Sequence, residues 1–160
     1  MWPLFTLCSL AVASGYFLMV QQVKEAAATP PPAGRFLAAS MGTYRATVID
    51  YVRQHPGAVV DASVNDDALQ FPRWYTRHAQ LGNHVIGSRT VVVYADVPDA
   101  AILAEALATL SQGSILAGMA LPPAPGSSAL TLHSPTGGDT GIAMPAVVPP
   151  GSAVWLATLE

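Results

Sequence analysis

His84-Val85-Ile86-Gly87-Ser88-Arg89-Thr90-Val91-Val92-Val93-Tyr94 reads as a β-hairpin. Two β-branched runs flank a short connection that contains glycine, the pattern of antiparallel strands joined by a tight loop. Val91-Val92-Val93 has no polar alternation, so this strand is expected to be buried on both faces. The period then changes. Pro98-Asp99 opens a helix, with Asp99 as its cap. Ile102, Leu103, Ala106, Leu107 and Leu110 form its apolar stripe, and Gly113 sits where it stops.

Beyond that helix, residues 114–121 read as a strand of small residues, and Pro122-Pro123-Ala124-Pro125-Gly126 as a stiff turn. Residues 129–133, 141–144 and 153–159 follow as three short strands between Pro- and Gly-rich turns. Before the hairpin, residues 35–55 read as an amphipathic helix. Leu37, Met41, Tyr44, Val48 and Tyr51 or Val52 recur at spacings of three and four, and His55-Pro56-Gly57 ends the pattern. Arg45, Asp50 and Arg53 fall off this stripe and are expected in solvent. Residues 58–64 read as a short strand and Asn65-Asp66-Asp67 as a polar turn. Pro72 demotes the aromatic segment Phe71-Pro72-Arg73-Trp74-Tyr75 to an edge or a loop. The order helix, strands, helix, strands predicts an α+β fold with two helices packed on a mostly antiparallel sheet.

The first 23 residues carry no Asp, Glu, Lys, Arg or His and are mostly apolar. A hydrocarbon core about 30 Å thick takes roughly 20 helical residues to cross. A cleaved signal peptide would need a basic leader, and a lipoprotein a small residue before Cys8; neither is present. Phe5-Thr6-Leu7 imitates a mature type IV pilin start, but Leu4 and Ser9 stand where such pilins carry Gly and Glu. The expectation is an uncleaved anchor. The chain then divides into a transmembrane anchor over residues 1–23, a Pro-rich linker over 24–35 and a soluble α+β domain over 36–160. Lys24, Arg35 and Arg45 follow the anchor, and loop charge alone would place the domain in the cytoplasm.

Charged residues make up only 11% of the chain against 51% hydrophobic, with a net charge of -3. The seven basic residues are scattered, which argues against a nucleic-acid partner. Cys8 is the single cysteine, so neither an intramolecular disulfide nor a cysteine zinc site can form in the domain.

Asp139-Thr140-Gly141 resembles the aspartic-protease triplet, which works as two carboxylates sharing a proton. One copy occurs here, after Gly137-Gly138 instead of an apolar strand, so the plainer reading is a glycine-rich hairpin. His55, His78, His84 and His133 form no metal-ligand spacing. No nucleophile elbow, phosphate loop or dinucleotide fingerprint is present. No catalytic, cofactor-binding or metal-ligating residue is therefore assigned, and no cofactor or small-molecule substrate is expected. Exposed aromatic rings are favoured contact anchors, which makes Phe71, Trp74 and Tyr75 the candidate partner-contact residues.

The ordered elements resemble a known family. The Met1-Trp2 apolar start is followed by Tyr44-Arg45 and Tyr51 on a helix, then His55-Pro56-Gly57, Pro72-Arg73-Trp74-Tyr75 and Asn83-His84-Val85-Ile86. Val93-Tyr94, the Leu-rich helix and Val148-Pro149-Pro150-Gly151-Ser152-Ala153-Val154 complete the series. Together they resemble the PilM family of type IVb (conjugative thin) pilus biogenesis proteins, distinct from the larger nucleotide-binding protein of the same name. The resemblance implies a non-enzymatic inner-membrane component of the pilus assembly or basal-body apparatus. Its domain would lie in the periplasm, and its partners would be the membrane and other pilus-assembly proteins. A minor pilin-like subunit and a membrane-anchored hydrolase are the alternatives.

Overall fold

A computed structural model describes residues 32–124 and 126–159. The proposed anchor and most of the proposed linker lie outside these residues. No described helix is long and apolar enough to cross a membrane.

The hairpin forms as expected, with β1 at Leu81–Ile86 and β2 at Thr90–Ala95 in antiparallel register. Its turn closes where the Arg89 N–H meets the Ile86 carbonyl at 3.2 Å. Gly87 and Ser88 both take left-handed φ, 54° and 62°. Such primed turns match the twist of the flanking strands. Upstream, α1 spans Pro32–Gln54 and a short 3-10 turn spans Asp66–Ala68. Downstream come α2 at Ala100–Leu110, β3 at Ala117–Leu121, β4 at Thr131–Ser134, β5 at Gly138–Ala143 and β6 at Ala153–Thr158.

The six strands form one sheet in the order β1-β2-β6-β3-β4-β5, with every neighbouring pair antiparallel. The last strand therefore sits near the centre, between β2 and β3. Both faces of the sheet are covered. Val85, Val91, Val93, Ala117 and Ala153 pack with Met41, Tyr44 and Val48 of α1 and Leu103 and Leu107 of α2. On the other face, Val92, Val154 and Leu156 pack with Ala120, Leu132, Met144 and Val148. The valine run is buried on both sides for this reason: alternate residues serve two different cores.

Gly118 marks the closest approach within the sheet, because a Cβ there would collide with the His133 carbonyl oxygen.

Several boundaries differ from the sequence reading. α1 starts at Pro32, inside the expected linker; proline suits the first turn, where its missing N–H bonds nothing. Residues 58–64 form no strand. They make one isolated bridge, Ala62 with Val85, and the Asp61 carboxylate accepts the Gly87 N–H at 2.9 Å. This segment lies along the edge of β1 and covers backbone that would otherwise be open to pairing. Asp99 occupies the cap position of α2, but its side chain makes no capping hydrogen bond.

Arg45 is not free in solvent either. Its guanidinium lies 4.7 Å from the Trp155 ring centroid and donates twice to the Leu156 carbonyl, at 2.7 and 3.1 Å. The Leu116 N–H, just before β3, donates to Ser114 Oγ at 3.2 Å, while its carbonyl accepts the Leu156 N–H at 2.8 Å. Burial lowers the Arg45 pKa.

Candidate functional site

Asn83 is buried on β1, and its amide has partners on both sides. The Val64 N–H donates to Oδ1 at 2.7 Å, and Nδ2 donates to the Val64 carbonyl at 3.0 Å and to the Tyr44 hydroxyl at 2.8 Å. Tyr44 donates onward to Asp66 Oδ1 at 2.6 Å. Arg77 closes the set, reaching Asp66 Oδ2 at 2.7 Å and the Leu81 carbonyl at 2.8 Å. A buried polar network rigidifies what it joins when its members are satisfied. This one fastens residues 64–81 to α1 and β1. Burial first, then the bond to Asp66, pushes the Tyr44 pKa up to about 12.

The fastened segment carries the aromatic residues. Phe71 stacks on Tyr44 at 5.7 Å and on Tyr75 at 5.0 Å between centroids. Trp74 meets Tyr75 edge-on at 6.2 Å. Ser40 Oγ on α1 donates to the Tyr75 hydroxyl at 3.3 Å, and Phe36 meets His78 edge-on at 6.0 Å. Between α1 and this segment runs a mainly apolar groove of about 460 Å³, lined by Phe36, Ser40, Thr43, Trp74, Tyr75 and His78 among others. Phe71 and Tyr75 are half-buried and pack against the helix-side core. Trp74 and Phe36 are 74% and 69% exposed.

The structure thus brings the three sequence-nominated residues together but divides their roles. Tyr75 lines the groove, Phe71 is packed between Tyr44 and Tyr75 behind it, and Trp74 is the exposed ring. Sequence reasoning missed Phe36, Ser40, Thr43 and His78. A signal for Phe36 existed, because it is a large aromatic next to the stripe begun by Leu37 rather than on it. The Tyr44–Asn83–Asp66–Arg77 network had no local signal, since its members are scattered from α1 to β1.

Asp139 lies at the start of β5, exposed, and its carboxylate accepts the Gly141 N–H at 3.0 Å. That bond is the leading cause holding its pKa below the usual carboxylate value, helped by Thr131 and by His133, whose Nε2 is 3.8 Å away. The arrangement is a local turn with a histidine beside it. His55 stacks on Tyr51 at 4.4 Å, and His78 meets Phe36 edge-on. Among the described residues, no three His, Cys, Asp or Glu side chains gather in a way that could hold a metal.

These features define a two-layer α+β protein, with helices over one face of an antiparallel sheet and an aromatic groove beside the first helix. The chain belongs to the PilM family, whose model matches residues 8–156. Its fold is similar to a crystal structure assigned to PilM from Escherichia coli B7A. Identity there is 21% and the TM-score 0.53, over 78% of this chain and 91% of that one. No curated protein matches the chain. Family membership links the chain to pilus biogenesis.

Proposed function

We propose that the protein is a non-enzymatic, membrane-tethered component of the type IV (thin) pilus assembly or basal-body apparatus, with its folded part on the periplasmic side of the inner membrane. The family match over residues 8–156 carries this reading. The uncharged run of 23 residues supplies the tether, and the groove lined by Trp74 and Tyr75, with Phe71 packed behind Tyr75, supplies the contact surface.

The test is a deletion strain, with a topology reporter fused after Glu160. Loss of piliation and of pilus-dependent mating, restored by the full chain, is expected, together with a periplasmic reporter signal. Normal piliation would refute the role, and a cytoplasmic signal would refute the placement. N-terminal sequencing of the mature protein adds a third arm. A start at Met1-Trp2 fits an assembly component, and a processed start would favour a subunit of the fibre.

A further inference from the structure

We infer that the Phe36–Trp74 rim of the groove is a lipid-contact surface that seats the folded part against an anionic bilayer. The inference rests on the membrane-tethered reading above and names what its contact surface meets. Four observations point the same way. First, α1 has a second uncharged stripe beside its buried one. Phe36, Ala39, Ser40 and Thr43 follow the i, i+3, i+4, i+7 spacing and all line the groove. Second, the two most exposed rings of this region, Phe36 and Trp74, stand on the rim instead of filling a pocket. Aromatic rings standing out of a rigid surface suit the headgroup boundary of a membrane, where an apolar body and a wet edge are both accommodated.

Third, charge is arranged around the rings. Arg35 precedes Phe36 and Arg73 precedes Trp74, and both arginines are exposed. Among the described residues neither has a carboxylate partner, and no acidic side chain lines the groove. Arginine next to an interfacial ring adds attraction to anionic headgroups. Fourth, the covalent reach is short. Residues 24–31, eight in all, separate the uncharged run from α1, so they span at most about 29 Å. Phe36 lies one helical turn further, about 6 Å along the axis. Of the whole described chain, this end of α1 has the tightest bound on its distance from the bilayer.

The experiment uses the full chain reconstituted into protein-free vesicles, either phosphatidylethanolamine with phosphatidylglycerol or phosphatidylcholine alone. The Trp74 signal is the difference between W2F and W2F/W74F. On anionic vesicles Trp74 is expected to be shielded from aqueous acrylamide and quenched by lipids brominated near the headgroup. On phosphatidylcholine it should be accessible. The R35Q/R73Q pair should shift anionic vesicles towards the neutral pattern, by about fivefold in seated population per arginine. Equal acrylamide access on both vesicle types overturns the inference. So does shielding that occurs only in native membranes, which would make the occupant a protein. Release of the chain by alkaline carbonate would instead overturn the tethered reading itself, and the inference with it.

Discussion

Replacing Tyr44 with Phe removes one oxygen from the centre of the network that holds the groove's outer wall. Asp66 loses its shortest hydrogen bond, and the buried Asn83 Nδ2 loses one of two acceptors. A bond to a charged group contributes roughly 1.5–3 kcal/mol, and an unpaired buried donor costs about 1 kcal/mol or more. Asp66 is about a third exposed and keeps Arg77, so water and the ion pair return part of this. The expected loss at pH 8 is about 2–3 kcal/mol, which for a domain of this size lowers the melting temperature by about 10 °C.

The pH dependence is the sharper test. Tyr44 titrates at about 12 in the fold against 10.0 unfolded, so folding favours the protonated hydroxyl. The stability it contributes is complete below pH 10 and is lost as pH climbs through 12. A rise from 10.0 to about 12 corresponds to about 2.7 kcal/mol. The difference between wild type and Y44F in urea midpoint, measured on the full chain in detergent, should therefore shrink across pH 10–12. The reasoning is refuted if Y44F matches wild type at pH 8, or if the gap stays constant through that window.

Three further outcomes follow from the packing. Gly118→Ala should destabilise by about 3 kcal/mol or more and lower near-ultraviolet dichroism, because the new methyl group meets backbone that cannot swing aside. Arg45→Met should lose about 1–2 kcal/mol and shift Trp155 emission to the red, since the Leu156 carbonyl is left without its donors and the ring without its cover. An NMR titration should place the Asp139 carboxyl below its ordinary value, and the stability its carboxylate contributes should be lost as pH falls through that lowered value; a carboxyl titrating at its ordinary position would refute the turn geometry.

Local elements were legible in the sequence wherever a short-range pattern produced them. The hairpin, both helices and the strands near residues 117, 131, 141 and 153 follow from periodicity and from turn residues within a few positions. Residues 58–64 misled because an apolar, β-branched run was read as a strand, whereas its backbone makes one bridge and then yields to Asp61, in left-handed φ, and to Asn83. Arg45 misled because its place off the apolar stripe says nothing of a carbonyl on β6, 111 positions away. Phe71, Trp74 and Tyr75 were visible as an aromatic cluster, but which rings are half-buried and which is open depends on Tyr44 lying beneath Phe71.

By itself the sequence determined the element types, the doubly buried valine strand and the aromatic character of residues 71–75, because propensity and periodicity act over a few residues. Only the tertiary structure decided that β6 lies between β2 and β3, and that Tyr44, Asn83, Asp66 and Arg77 meet to set the groove against α1. Both depend on closing long loops around two cores at once, and no local pattern records that choice.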